Sequence, residues 1–219
     1  FAMANHDVRY YLNGLLRELS EDRLRTVSTD GHRLALAELE TELAVGEETQ
    51  QVIVPRKGVM EILRLLERGG DRIRLGVGKN HLRLARDGLV ATTKLIDGRF
   101  PDYGAVIPVG TQEQIVLDRE VFRSALQRAA ILSNEKYRGV RLDLSSGRMQ
   151  IVAHNPQQEE AEEEIEAQHE IESLTVGFNV TYLMDALDAV HGDQVSLSLR
   201  DANSSCLIEA LGDDSNRHV

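Results

Sequence analysis

Two tandem copies of one strand-rich α+β unit, each with two helices, are expected from this chain of 219 residues. The chain repeats itself at about half its length, and apolar residues switch from period 2 to helical spacing in the same order in each half. A hydrophobic share of 42% is enough for one core or two.

The repeat is read residue by residue. Arg9–Leu16 resembles Glu135–Leu142, which sets Gly139 125 residues after Gly14. Leu24–Asp30 resembles Met149–Asn155 at the same offset. Val52–Pro55 followed by Val59–Leu63 resembles Val176–Asn179 followed by Leu183–Leu187, and Arg72–Val77 resembles Gln194–Leu199. Alternation marks strands at Gln51–Val54, Ile73–Val77, His81–Ala85 and Val195–Leu199. A helix is expected after the third strand of each unit. In the first it covers Lys57–Arg68, with an apolar stripe of Val59, Ile62, Leu63 and Leu66. In the second it covers Thr181–Val190, with Leu183, Ala186, Leu187 and Val190. The second unit opens on a further helix from Asp118 to about Leu132. Asp118 is its N-cap, and Val121, Phe122, Ala125, Leu126 and Ala129 form its stripe. The matching helix of the first unit is expected largely before position 1, inside a longer chain. Pro101, Gly104, Pro108 and Gly110 cluster at the junction, giving units 1–105 and 106–219.

Charge and composition narrow the function. The net charge is −11, yet residues 1–110 hold 16 basic and 16 acidic side chains, so the second half carries the excess. Such a chain does not wrap phosphates by bulk charge; handling DNA would need a local basic face or a topological hold. No apolar run of 18 residues exists and the start has no signal-peptide pattern, so no membrane partner is expected. Cys206 alone cannot form an internal disulfide and is expected as a small buried hydrophobe, which fits a reducing cytoplasm. No metal and no cofactor are expected.

Several segments have more than one local reading. Asp30 and His32 are an acid and a base two residues apart, which could be misread as catalytic; the plainer local reading is a turn in which Gly31 supplies unusual dihedrals. No Gly-x-Ser-x-Gly or His-Glu-x-x-His accompanies them. Arg9, Tyr10 and Tyr11, with His6 beside them, would pair with phosphate and stack on bases, or Tyr10 and Tyr11 begin a strand with one ring buried. Arg56, Lys57, Arg64 and Arg68, like Arg119, Arg123 and Gln127, are basic faces for phosphate or ordinary solvated faces. The acidic run Glu159–Glu166 is a solvated edge strand or a carboxylate cluster, without the pattern of a calcium loop.

Six segments, taken in order, carry a resemblance over essentially the whole chain. They are His6–Gly14, Thr29–Ala35, Val54–Gly58, Asp97–Tyr103, Leu132–Gly139 and Gly177–Val180. Together they resemble the bacterial DNA polymerase III beta subunit, the sliding clamp, in its second and third domains. The resemblance implies clamp domains with antiparallel sheets outside and two helices per domain lining a ring. It implies a non-catalytic processivity factor that encircles duplex DNA without reading sequence. Its partners would be the polymerase III catalytic subunit, the clamp-loader delta subunit, and other polymerases and repair proteins bearing a short linear motif. A client-peptide cleft is implied at Leu12, Thr29, Gly31, His32, Arg33, Leu34, Pro101, Val106, Asn179, Tyr182 and Ser205. Gly104-Ala105 and Asn203 depart from the residues common there. DNA contact is implied at His6, Arg9, Tyr10, Tyr11, Arg56, Lys57, Arg119 and Arg123. A head-to-tail homodimer ring is implied, with an interface at Ile131, Leu132, Glu159, Glu160, Glu162 and Glu163. The family's first domain, last strand and tail would lie outside this chain, so these two domains alone are expected to stay monomeric. A hydrolase using Asp30 and His32, or a peptide-binding scaffold with no DNA role, are the other readings.

Overall fold

A computed structural model describes residues 1–43, 49–67, 73–86, 88–109 and 113–219. They fall into two compact units, Phe1–Asp102 and Tyr103–Val219. That division comes three residues ahead of the one expected from sequence, before a 3-10 turn at Tyr103–Ala105. Gly110, which helped to mark the junction, lies outside the described residues.

Unit 1 contains β1 (Gly14–Leu19), β2 (Arg23–Thr29), β3 (Leu34–Glu40), β4 (Gln50–Pro55), α1 (Arg56–Leu66), β5 (Arg74–Val77), β6 (His81–Arg86) and β7 (Leu89–Lys94). Unit 2 contains β8 (Glu113–Asp118), α2 (Arg119–Ala129), a 3-10 turn at Ala130–Leu132, β9 (Gly139–Ser145), β10 (Arg148–His154) and β11 (Glu160–Glu166). It continues through β12 (Ser173–Asn179), α3 (Val180–Ala189), β13 (Gln194–Leu199), β14 (Leu207–Ala210) and β15 (Asp213–His218). Within unit 1 the antiparallel orders are β4-β1-β2-β3 and β5-β6-β7. Within unit 2 they are β12-β9-β10-β11 and β15-β14-β13-β8. The duplication is therefore structural: β1 to β7 with α1 have the same order and pairing as β9 to β15 with α3. Each helix follows the fourth strand of its series, not the third, because the hairpin from β2 to β3 adds a strand that alternation alone did not separate.

The core of unit 2 follows from helical spacing. Phe122, Ala125, Leu126 and Ala129 on α2 are all fully buried, against Met149 and Ile151 of the sheet and Leu183 and Leu187 of α3. Val121, expected in the same stripe, is 49% exposed. The helix starts where the sequence places it: Asp118 Oδ1 accepts from the Val121 amide at 2.8 Å. It turns 3-10 at Ala130, two residues before the expected end at Leu132. Asp118→Ala should lower the stability of unit 2 by about 0.5–2 kcal/mol, read as a shift in the urea midpoint at constant slope.

On α1 the buried face is rotated from the expected one. Gly58 is its buried residue, while Leu63 is 47% and Leu66 37% exposed. A Cβ on Gly58 would lie 2.6 Å from the Thr93 hydroxyl, so only glycine lets α1 sit this close to β7. The expected continuation of this helix to Arg68 falls outside the described residues.

Candidate functional site

The hairpin between β2 and β3 is built by its own side chains. Asp30 Oδ1 accepts from the amides of His32 (2.9 Å) and Arg33 (3.1 Å), and Oδ2 accepts from Arg33 Nε at 3.1 Å. Thr29 Oγ1 donates to the Arg33 carbonyl at 2.7 Å and accepts from the Gly31 amide. Gly31 sits at φ +91°, a conformation that side-chain-bearing residues rarely adopt. The Asp30 carboxylate is thus spent on holding a turn. It does not orient the His32 ring, and the acid–base pairing that a hydrolase would need is not formed.

The loop before β1 docks on this hairpin. Arg9 pairs with Asp7 through Nε (3.0 Å) and Nη2 (2.8 Å), and Nη2 reaches the Asp30 carbonyl at 3.3 Å. A Cβ on Gly31 would come within 3.0 Å of Arg9 Nη2, so the same glycine also admits the guanidinium. Those hydrogen bonds hold the Asp7 carboxyl well below its usual range, down to about 2. Asn13 closes the loop by accepting from the Asp7 amide and donating to its carbonyl. His6 is held at φ +62°. Arg56, the first residue of α1, donates to the Met3 carbonyl at 3.0 Å, and the Arg33 guanidinium lies 5.5 Å over the Phe1 ring. Together His6, Asp7, Arg9, Asp30, His32, Arg33 and Arg56 line a shallow basin of about 460 Å³. The structure therefore joins, within unit 1, residues that the resemblance assigns to DNA with residues it assigns to a peptide.

Tyr10 and Tyr11 form a 3-10 turn with Leu12 instead of opening a strand, and neither ring is buried. Their centroids are 5.8 Å apart at 68°, edge to face. Leu12 and Leu34, expected as apolar walls, are only 2% and 3% exposed, so they support the loops from beneath. His32 and Pro101 are exposed. Asp7 and Asn13 were missed in sequence; the Asp-x-Arg spacing of an Asx turn at Asp7–Arg9 was the signal.

In unit 2 the expected cleft residues separate by role. Asn179 caps α3, accepting from the Thr181 amide at 2.9 Å and donating to the Tyr137 carbonyl. Val106 is 50% exposed and Ser205 is exposed, whereas Tyr182 is half-buried.

Two expected phosphate contacts are occupied within the chain. Arg119 donates to the carbonyls of Gly192 (2.8 Å) and Leu187 (3.2 Å) and pairs with Glu120, tying α2 to the end of α3. Arg123 pairs with Asp188 at 2.5 Å, which also explains why an acid stands on α3. Both therefore tie α2 to α3, as Arg9 and Arg56 tie the loops of unit 1. Lys57 is exposed and Arg64 pairs with Glu61. Arg68 lies outside the described residues.

The acidic strand β11 pairs with β10 only and forms an edge of its sheet. Glu160 and Glu162 face solvent. Glu163 is half-buried and forms a two-pronged pair with Arg128 at 2.7 Å each, which lowers its pKa, and Glu159 bonds Asn155. Ile131 is 78% exposed and Leu132 half-buried.

Among the described residues no helix is long and apolar enough to cross a membrane. Residues 1–102 match the model of the DNA polymerase III beta subunit central domain, and residues 104–219 match that of its C-terminal domain. All 219 residues align at 50% identity with the beta sliding clamp of Pseudomonas putida and cover 59% of it. The whole chain also aligns with the beta sliding clamp of Escherichia coli K12 at 43% identity, again covering 59% of that protein. A crystal structure of the DNA polymerase III subunit beta from Pseudomonas aeruginosa superposes on the whole chain with a TM-score of 0.95 at 47% identity, over 59% of its length. The chain thus spans somewhat more than half the length of these relatives. With both domain models matched in order, over residues 1–102 and 104–219, the chain belongs to the DNA polymerase III beta subunit family and carries its central and C-terminal domains.

Proposed function

We propose that this chain acts as part of a sliding clamp, a non-catalytic ring that encircles duplex DNA and tethers replication proteins to it. The observation that carries the reading is identity of 50% over every residue with a protein named as a beta sliding clamp. The chemistry agrees with it. The one acid–base pair that suggested hydrolysis, Asp30 and His32, is a turn device. The unit 1 loops present backbone amides, cations and exposed rings, which suit a peptide and a polyanion better than a reaction.

In this reading no contact is base-specific, so the ring slides, and closure of a head-to-tail homodimer keeps it on DNA. Polymerase gains processivity because a tethered partner rebinds intramolecularly, at high effective concentration. The clients are the polymerase III catalytic subunit, the clamp-loader delta subunit, and other polymerases and repair proteins. They bind through a short linear motif to Thr29, Gly31, His32, Arg33, Pro101, Val106, Tyr182 and Ser205, supported by Leu12, Leu34 and Asn179. His6, Arg9, Tyr10, Tyr11, Arg56, Lys57, Arg119 and Arg123 face DNA. The setting is the cytoplasm, consistent with a buried thiol at Cys206 whose pKa burial pushes up to about 12.

The test is amide exchange. A saturating peptide with a Gln-x-x-Leu-Phe core should protect the amides of Thr29–Leu34 and leave those of β9 and β10 unchanged. Unchanged exchange over Thr29–Leu34 would remove the client-binding assignment.

A further inference from the structure

A second basic hollow in unit 1 has no part in the reading above. It measures about 380 Å³, and Lys79, Lys94 and Arg99 stand on its rim with Asn80, Asp97 and Gly98. Backbone hydrogen bonds fix its walls. The Leu95 amide donates to the Asn80 carbonyl, and the Ile96 amide donates to the Ile53 carbonyl, both at 2.9 Å. These bonds bring the turn between β5 and β6, the end of β7, and β4 to one place. They put Lys79 and Lys94 at the same rim.

The cations there differ from several others on unit 1. Arg9, Arg25, Arg33 and Arg64 are each paired with a carboxylate. Among the described residues Lys79, Lys94 and Arg99 form no ion pair, and Asp97 is the only acid on the rim. Three exposed cations against one carboxylate, set in a concave wall, concentrate positive potential there.

One lining residue, Gly98, also meets the turn before β1. A Cβ on Gly98 would lie 3.3 Å from Tyr10 Cε2 and 3.5 Å from its hydroxyl, so the Tyr10 ring rests on the backbone of Gly98. Gly98 therefore has the hollow on one side and Tyr10 on the other. Tyr10 is 56% exposed, its ring braced by Gly98 and Tyr11. A braced, open ring stacks on an unpaired base but not on one already stacked in a duplex.

We infer that this hollow binds the phosphates of a single nucleic-acid strand whose base stacks on Tyr10. Lys79, Lys94 and Arg99 supply the charge, and Gly98 sets the spacing between stacking ring and cations. The inference rests on the reading of Tyr10 as a nucleic-acid contact and adds to it a phosphate site beside the ring.

The experiment is a salt titration of a single-stranded oligothymidylate binding to the 219-residue chain, followed by fluorescence anisotropy. Lys79→Ala combined with Lys94→Ala should weaken binding and make the dependence of log K on log salt shallower by about 0.7 per lysine. Tyr10→Ala should weaken binding several-fold or more with the slope unchanged. Both lysines are exposed, so the double variant should melt with the parent, which separates binding from folding. If Tyr10→Ala weakens binding while the lysine variant keeps the parent slope, the hollow is not a strand site, although Tyr10 remains one. If neither changes binding, or the parent does not bind, both readings fall. A parallel titration with pyrophosphate separates the sources of phosphate. Loss of pyrophosphate binding in the lysine variant, with oligothymidylate binding intact, would overturn the inference in favour of a small-anion site.

Discussion

In a chain that also carries the family's first domain, replacing Ile131 and Leu132 together by alanine is expected to turn a dimer into a monomer at concentrations where the parent remains paired. Ile131 is 78% exposed on the 3-10 turn that ends α2, and an isoleucine so placed gains only by being covered. The neighbouring edge strand β11 leaves Glu160 and Glu162 in solvent, so the patch combines apolar area with negative charge. Burying such a side chain and then truncating it costs about 2–5 kcal/mol. A two-membered head-to-tail ring uses the same contact twice. Even about 2 kcal/mol per interface therefore amounts to about 4 kcal/mol for the ring, on the order of a thousandfold in Kd. Sedimentation velocity of parent and double variant reads this directly. The exposure of Ile131 in the single chain provides the control, since its truncation should leave the melting temperature almost unchanged. A variant that sediments as the parent dimer would place the interface elsewhere. Glu163 adds a refinement: its pairing with Arg128 makes Glu163→Gln a weaker test of the interface than Glu162→Lys.

What could be read from sequence was what depends on near neighbours. The Asp118 cap, the start of α2 and the duplication all rest on spacing within a dozen residues or on repetition of such spacing. The fates of Arg119 and Arg123 rest on partners 73 and 65 residues away, which no local pattern encodes. A basic stripe at i and i+4 looks the same whether it faces phosphate or a neighbouring helix's carbonyls. On α1 the spacing gave a stripe of Val59, Ile62, Leu63 and Leu66, whereas the residue buried is Gly58, packed on Thr93 through a contact between distant segments. The turn at Thr29–Leu34 was legible as a turn from Gly31. That Arg9 and Gly31 lock two loops together was not, because it takes the folded hairpin to bring them into contact.

Phe122→Ala should be among the most damaging single substitutions in unit 2, and comparison with Val121→Ala tests how α2 is placed. Sequence periodicity puts both residues on one stripe. In the structure Phe122 has no exposure and Val121 has 49%. Phe122 packs in the cluster with Leu126, Met149, Ile151, Leu183 and Leu187, so its truncation removes apolar contact and leaves a cavity that the surrounding sheet cannot fill. The cost is about 3–5 kcal/mol, set against about 5–15 kcal/mol for the whole stability of a domain. α2 is also held at its start by Arg119, which donates to the Gly192 and Leu187 carbonyls. Collapse around the cavity by movement of the helix is therefore restrained, which favours the upper part of the range. Val121→Ala removes atoms already in water, and its cost should stay within about 0.5 kcal/mol. Urea unfolding followed by amide exchange in β9 and β10 reads unit 2 specifically. Phe122→Ala should lower protection there by about two orders of magnitude or more, with Val121→Ala close to the parent. Equal losses in the two variants would mean that α2 is rotated about its axis from the position described, and that Arg119 and Arg123 face a different surface.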